Sequence, residues 1–333
     1  MDKKNNELDI LDNYIECELC PNRCKVNRRN NQLGICNESD VVRVAFSGLH
    51  RGEEPPISGR AGSGMIFFSG CPLHCKYCQN FQISGGLNTR DGNVGIKVSI
   101  NELAKMMLEL EKMSANNINL VTPTHFIPSI VKAIKIAKEN GLNIPIVYNT
   151  SGYENVDALK LIDKYIDLYL IDFKTLDESV AKEFCGRKKY VDEIESVFDY
   201  LIKQHPKFEF FDEVTTPKGV LVRHLVFPKE LDATYKVLEY YSKYLKNSCY
   251  LSLMVQFFDP KNIKHFEKVN DFEYNQLIEY LNKLNIEDGF VQERSDNVDW
   301  VPDFKLDKPF PSNFCDPLKY FIKIKNRREN YGI

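Results

Sequence analysis

Three closely spaced cysteines have the residue type and spacing to bind an inorganic cofactor. Cys71, Cys75 and Cys78 follow the pattern C-x3-C-x2-C. Thiolate is the soft ligand that iron–sulfur clusters require, and three thiolates on one loop can hold three irons of a 4Fe–4S cluster, which leaves the fourth iron open. Cysteines at this spacing would also share one face of a helix as ordinary buried residues, but Gly70 and Pro72 disfavour a helix interior.

Four further cysteines form a second group nearer the N-terminus. They are Cys17, Cys20, Cys24 and Cys36, with the spacing C-x2-C-x3-C-x11-C. A tetrahedral zinc ion and a second iron–sulfur cluster are both consistent with this grouping, and the spacing does not choose between them. A reduced group of cysteines without metal is the third possibility. A metal here would stabilise a region that has few apolar residues of its own.

Composition and charge narrow the class of protein. The chain has 333 residues, ten cysteines and a formal net charge of -3, which gives no overall attraction to nucleic acid or to anionic membranes. The polar N-terminus lacks a signal-peptide pattern, and no apolar run approaches the roughly 18 residues of a membrane span. We therefore expect a soluble, cytoplasmic protein with neither kind of partner. Three scattered cysteines are interpreted as ordinary core or surface residues: Cys185, Cys249 and Cys315.

The elements that position the cysteine loop alternate between strands and helices. Six apolar segments predict strands at residues 65–68, 118–121, 144–148, 168–171, 220–226 and 250–255. Amphipathic patterns between them predict helices at about 99–113, 128–141, 155–165, 191–204, 232–246 and 270–284. A shorter strand is predicted earlier, at residues 41–46. This alternation predicts an α/β protein with a parallel sheet and right-handed crossovers.

Polar residues follow the carboxyl ends of these strands, where ligands gather in parallel α/β folds. Asp172 and Lys174 have the same alternation parity, so both side chains can point the same way. Such a pair suits a zwitterionic amino acid and a ribose, and a structural salt bridge is the alternative. His125 is a candidate general acid–base or a structural histidine.

A loop with two prolines supplies three more candidates before the cysteine loop. His50, Glu53 and Glu54 either face the active site or form a solvated acidic turn.

Taken together, these motifs resemble the radical S-adenosylmethionine (radical SAM) superfamily. Its signature is C-x3-C-x2-C with an aromatic residue, here Tyr77, before the last cysteine. Other matching runs are Cys20-Pro21-x-x-Cys24, GEEPPISG at 52–59, Phe-Phe-Ser-Gly-Cys at 67–71, Cys78-Gln79-Asn80 and Thr122-Pro123-Thr124-His125. They narrow the resemblance to uncharacterised iron–sulfur proteins related to pyruvate formate-lyase activating enzyme. It extends from about Cys17 to about Pro260, which is most of the chain.

The resemblance implies a partial (β/α)6 barrel of the TIM type. We predict an N-terminal four-cysteine extension at 1–60, the barrel at 61–295 and an irregular C-terminal strap at 296–333. The strap contains the only tryptophan of the chain, Trp300.

The resemblance also implies how the cofactor is bound. Asp172 and Lys174 match an Asp-x-Lys that contacts S-adenosylmethionine, and Tyr77 matches the aromatic that packs near adenine. Activating enzymes usually carry Gly-Gly-Glu after the second strand, whereas this chain does not. There Thr122, Thr124 or a backbone carbonyl is expected to meet the amino group of the cofactor. Arg223, on the fifth predicted strand, completes the predicted binding set.

The activity that the resemblance implies is reductive cleavage of S-adenosylmethionine to a 5′-deoxyadenosyl radical, which abstracts hydrogen from a substrate. The electron would come from a donor such as flavodoxin or ferredoxin. A glycine of a partner enzyme is one implied substrate, and another peptide or a small metabolite is the alternative. Two other classes remain: an iron–sulfur electron carrier, which needs a fourth protein ligand, and a zinc-stabilised nucleic-acid-binding protein, which needs a basic face.

Overall fold

The computed structural model describes residues 9–85, 94–260, 268–294, 301–311 and 313–331. One mixed sheet organises this part of the chain, in the order β10-β1-β2-β4-β5-β6-β7-β8-β9, with β3 beside β1. The strands are β1 (Arg43–His50), β2 (Ser63–Phe68), β3 (Ile96–Lys97), β4 (Ile118–Val121), β5 (Ile146–Thr150), β6 (Leu168–Asp172), β7 (Gly219–Leu225), β8 (Cys249–Met254), β9 (Gly289–Val291) and β10 (Cys315–Pro317).

Helices connect and flank these strands. They are α1 (Pro55–Ser58), α2 (Ile100–Lys112), α3 (Ile127–Glu139), α4 (Val156–Ile162), α5 (Glu178–Val180), α6 (Tyr190–Gln204), α7 (Leu231–Tyr240), α8 (Asp271–Lys283) and α9 (Lys319–Tyr331). Helix α5 continues as a π-helical turn, Ala181–Cys185, and α7 as another, Tyr241–Leu245. Ser99 and Glu102 form the predicted capping box of α2. Among the described residues no helix is long and apolar enough to cross a membrane.

All six predicted strands of the repeat are present and pair in parallel from β2 to β8. The sheet does not close, since its terminal strands are β9 and β10. The prediction of an open α/β barrel is therefore confirmed. The early strand is longer than predicted, because β1 continues to His50 along an antiparallel pairing with β2. It joins residues 43–50 to the main sheet, and the predicted division at residue 60 stays a prediction.

Cross-strand register identifies the inner face of the sheet. Met65, Asn119, Val147 and Leu168 are aligned across β2, β4, β5 and β6 and therefore point the same way. Val147 and Leu168 pack in a cluster with Ile57 of α1. The intervening residues of these strands belong to the larger core shared with the helices. We call the face lined by Asn119 and Val147 the lumen.

The prediction of an irregular C-terminal strap is wrong for the last part of that segment. Within the described residues, β10 pairs with β1, and α9 follows it to Tyr331. Leu318, Phe321 and Ile324 are buried at helical spacing, and this apolar side explains why a segment rich in charge folds as a helix. Trp300 lies outside the described residues.

Candidate active site

The three-cysteine loop leaves the carboxyl end of β2, as predicted. Gly70 follows Ser69 with a φ of +84°, and an added Cβ there would meet the Cys36 carbonyl oxygen at 2.6 Å. This position therefore needs glycine, both for its backbone conformation and for its close approach to the N-terminal segment. The buried side chain of Leu73 anchors the loop in the core, while all three motif cysteines are partly buried with free thiols.

The three loop cysteines have the chemistry to hold a cluster, since all three carry free thiols on one short loop. Thiolates around a 4Fe–4S cluster bind separate irons and need not converge on one point. Cys71, Cys75 and Cys78 therefore suit a cluster, with three thiolates in a short loop at the end of a strand.

An ion pair lies beside this loop. Lys174 Nζ is 2.7 Å from Asp172 Oδ2 and 5.8 Å from the centroid of the Tyr77 ring. Burial opposes the ionisation of Asp172, but the charges of Arg223 and Lys174 outweigh it and hold the pKa of that carboxyl below its usual range. Asp172 and Lys174 therefore meet in a salt bridge, which both the predicted common orientation and the structural alternative require, and their role in binding the cofactor stays a prediction.

Arg223 connects this pair to the lumen. Its Nε lies 2.8 Å from Asp172 Oδ1, its Nη1 3.1 Å from Glu53 Oε2 and its Nη2 2.8 Å from Asn149 Oδ1. Burial raises the pKa of Glu53, and the Arg223 charge opposes that shift. The side chain of Glu53 is only 10% exposed. Glu53 therefore does not lie in a solvated turn. For this residue the structure agrees with the interpretation in which the loop faces the active site.

An aromatic wall completes the surroundings of the loop. The Tyr77 ring packs against Phe227 at 5.0 Å and Phe257 at 5.6 Å between centroids. Its buried hydroxyl lies beside the thiols of Cys75 and Cys185. An adenine ring would find both a flat apolar surface and a polar group here.

Thr122 and Thr124, after β4, occupy different environments. Thr122 has a φ of 56°, which is unusual for a β-branched residue and indicates a backbone held in place by its surroundings. The Thr124 hydroxyl donates to the buried carboxylate of Glu154 at 2.6 Å. Glu154 also accepts from Tyr148 and Thr150. Thr124, one of the two predicted contacts, is therefore already paired within the protein.

His125 has a structural environment. It is buried, its Nε2 lies 2.7 Å from the Ser69 carbonyl oxygen, and its own carbonyl accepts from Arg28. Burial lowers the pKa of His125 to about 3, so the ring is neutral. This geometry favours the structural reading, because the ring holds the base of the cysteine loop.

The N-terminal cysteine group packs directly on the three-cysteine loop. Asn22 Nδ2 donates to the Pro72 carbonyl at 2.8 Å, and His74 Nε2 lies 2.7 Å from the Ile35 carbonyl oxygen. Arg28 is fully buried beneath the group, and its Nη1 lies 3.7 Å from Cys17 Sγ. Its four cysteines carry free thiols, so a zinc ion and a second iron–sulfur cluster both remain predictions for this group.

Two residues at the site were not found from the sequence. Cys185, predicted to be an ordinary residue, is buried, and its thiol lies close enough to that of Cys75 to share a hydrogen bond. The backbone fixes this contact, because Lys76 N donates to the Phe184 carbonyl at 2.9 Å. Glu154 is the other. Neither belongs to a recognisable motif, and only the fold brings them to the site.

This arrangement defines a class of protein: an iron–sulfur enzyme built on an open α/β barrel, with its cysteine loop at the carboxyl end of a strand. The family model described as the radical SAM superfamily matches residues 65–240. The chain therefore belongs to the radical SAM superfamily. A 4Fe–4S cluster and S-adenosylmethionine are the cofactors of this family, whose enzymes also need an electron donor.

Individual proteins are also similar to this chain. The chain is 30% identical over 291 residues to the uncharacterized protein MJ0674 of Methanocaldococcus jannaschii, covering 84% of this chain and 79% of that one. It is 25% identical over 245 residues to the pyruvate formate-lyase-activating enzyme of Clostridium pasteurianum, covering 69% and 83%. The solved structure of Streptococcus suis SuiB bound to precursor peptide SuiA has a TM-score of 0.48 at 13% identity. The similarity covers 68% of this chain and 47% of that one, so this chain spans about half of its length.

Proposed function

We propose that this chain cleaves S-adenosylmethionine reductively and directs the resulting radical at a substrate in the lumen. The observation that carries the proposal is the position of Lys174, which contacts Asp172 and faces the Tyr77 ring beside the cysteine loop. When bound, a 4Fe–4S cluster on Cys71, Cys75 and Cys78 supplies the electron that splits the cofactor into methionine and a 5′-deoxyadenosyl radical, which takes a hydrogen atom from the substrate.

The residues of the chain would bind and orient the cofactor. Lys174 would pair with the carboxylate of S-adenosylmethionine, Asp172 would accept from its ribose or amino group, and Tyr77 would pack near adenine. Thr122 or its carbonyl would meet the amino group. Arg223 keeps Asp172 ionised, so the acceptor is present before the cofactor arrives. The buried aromatic wall would exclude water from the reacting atoms.

The substrate is proposed from similarity alone. The relative from Clostridium pasteurianum is named an activating enzyme for pyruvate formate-lyase, and a glycine of a partner enzyme is therefore one candidate. Another peptide or a small metabolite is the alternative. A flavodoxin or a ferredoxin is the proposed electron donor.

The experiment is detection of 5′-deoxyadenosine by mass spectrometry, after anaerobic reconstitution with iron and sulfide, reduction and addition of S-adenosylmethionine. We expect the product from the native chain and its loss in Cys75→Ala. Cys249→Ala is the matched control, because Cys249 is buried in β8 away from the loop. Its product should persist. An intact cluster that gives no product and does not bind S-adenosylmethionine would refute the proposal.

The electron-carrier alternative has one observation in its favour, the thiol of Cys185 beside Cys75. If Cys185 were a fourth ligand, the cluster would be closed to S-adenosylmethionine. The electron paramagnetic resonance spectrum of the reduced cluster separates the two functions. We expect it to change on addition of S-adenosylmethionine both in the native chain and in Cys185→Ala, whereas a change only in the variant would assign Cys185 as the closing ligand.

A further inference from the structure

A buried amide in the lumen has no partner. Asn119, on β4, is fully buried, and neither its Nδ2 nor its Oδ1 has a hydrogen-bond partner among the described residues. Asn117, two residues earlier on the same face, differs: its Nδ2 donates to the Ile57 carbonyl at 2.8 Å, and its Oδ1 accepts from Ser63 at 2.6 Å. Because buried amides are normally paired, the unpaired amide of Asn119 indicates a ligand group.

A buried carboxylate in the same lumen is also incompletely paired. Glu54 directly precedes α1, and its Oε2 is buried without a partner in the described part of the chain. Its neighbours include Arg223, Glu53 and the hydroxyl of Ser252. Ser252 is aligned with Arg223 and, through it, with Asp172 across three strands, which places Glu54 on the lumen side.

The charges in this region do not balance. Three carboxylates, those of Glu53, Glu54 and Asp172, face two cations, Arg223 and Lys174. Arg223 donates three of its five N–H groups, to Asp172, Glu53 and Asn149. Among the described residues, one negative charge is therefore left over when all these groups are ionised and before any cofactor binds. A buried carboxylate in this position is stabilised by a cation or takes up a proton.

We propose that the lumen binds a positively charged group of the substrate, an ammonium or a guanidinium, with Glu54 as its anionic partner, and that Asn119 is a second hydrogen-bonding group on the lumen face. This inference rests on the proposed function, since it names the chemical class of the substrate at that site. It does not decide whether the cation belongs to a peptide side chain or to a small metabolite, and the experiment separates the two sources.

The experiment is calorimetric binding to the cluster-loaded chain with S-adenosylmethionine and without reductant, so that no turnover occurs. N-acetyl-L-lysine amide represents a peptide side chain, and agmatine represents a small cation. N-acetyl-L-norleucine amide is the neutral probe, and N-acetyl-L-glutamate amide the anionic one. We expect at least one cation to bind about tenfold or more tightly than the neutral probe. Equal binding of the neutral or anionic probe would overturn the inference.

A matched pair of variants assigns the effect to Glu54. Glu54→Gln should weaken the preferred cation about tenfold and leave the affinity for S-adenosylmethionine unchanged. Glu139→Gln makes the same charge change on an exposed helix end and should alter neither. A loss of S-adenosylmethionine binding in Glu54→Gln would overturn the inference, because Glu54 would then belong to the cofactor site.

The native chain provides a second test that needs no variant. Burial raises the pKa of Glu54, with Arg223 opposing the shift and Glu53 adding to it. A cation would therefore displace a proton, and its affinity should rise with pH, whereas a fall or no change would contradict the inference. His50, on the same loop, stays neutral because burial lowers its pKa to about 4. Cleavage of S-adenosylmethionine, measured on the same preparation, tests the proposed function separately: its presence without any preference for cations refutes this inference alone.

Discussion

Arg223 Nη1 lies 3.1 Å from Glu53 Oε2, although 170 residues separate the two in the chain. Glu53 comes from the segment before α1, whereas Arg223 lies on β7 and also contacts Asp172. The side chains of Arg223 and Glu53 are 14% and 10% exposed. The inner end of the proposed cofactor site is therefore supported by a buried charge network that spans much of the sequence.

Replacing Arg223 with methionine should destabilise the fold. The substitution leaves Asp172 and Glu53 buried without their shared cation, which typically costs about 3–5 kcal/mol. Urea denaturation followed by circular dichroism measures the loss. Arg29→Met is the matched control, because its ion pair with Asp12 is exposed and should contribute no more than about 1 kcal/mol. Equal stability of the two variants would contradict a supporting role for Arg223.

Lys174→Met should weaken the binding of S-adenosylmethionine by about ten- to a hundredfold, since a hydrogen bond to a charged group contributes about 1.5–3 kcal/mol. Equilibrium dialysis with the cluster-loaded chain gives the dissociation constant. Lys160→Met removes an exposed lysine paired with Asp157 and is the control expected to bind normally. If Lys174→Met bound the cofactor as tightly as Lys160→Met, the cofactor carboxylate would have to be held elsewhere.

The sequence could predict those parts of the site that depend on local pattern. The cysteine loop follows from its spacing and from the strand before it. The meeting of Asp172 with Lys174 follows from an alternation that continues two residues past the end of β6. The position of Glu53 and Glu54 could not be predicted, because it depends on α1 turning into the lumen. That turn is held by hydrogen bonds from Asn117 to the Ile57 carbonyl and from Asn116 to the Pro56 carbonyl.

The same distinction applies to the residues that were missed or misjudged. Cys185 reaches Cys75 only because a π-helical turn packs on the cysteine loop. Helix α9 was missed because its single buried side is short and interrupted by many charges. In both cases contacts between distant segments determine the structure, and the local pattern carries little of that information.

Glu154 should make stability depend on pH. Burial raises its pKa from 4.5 to about 7, although Thr124, Thr150 and Tyr148 donate to it. The folded chain therefore binds this proton more tightly than the unfolded chain does. The stabilising contribution is complete below pH 4.5 and is lost as the pH rises through about 7, amounting to about 3 kcal/mol. Denaturation across this pH range measures how the free energy of unfolding changes with pH, in the native chain and in Glu154→Gln. If Glu154 titrates normally, the two proteins should show the same change.

The N-terminal cysteine group should contain iron rather than zinc. The segment that carries its four cysteines packs on the three-cysteine loop through the Asn22–Pro72 contact, so a second cluster there would lie beside the first. Metal analysis and electron paramagnetic resonance of the reconstituted chain should then show two clusters, and Cys20→Ala should lose one of them. Cys315→Ala, at a buried cysteine of β10, is the control that should keep both. If the native chain contained one zinc ion instead, the second cluster would be ruled out. Cys20→Ala would then lose that zinc ion, and its main effect would be lower solubility. Loss of turnover by a folded Cys20→Ala would indicate that the second cluster passes electrons to the first.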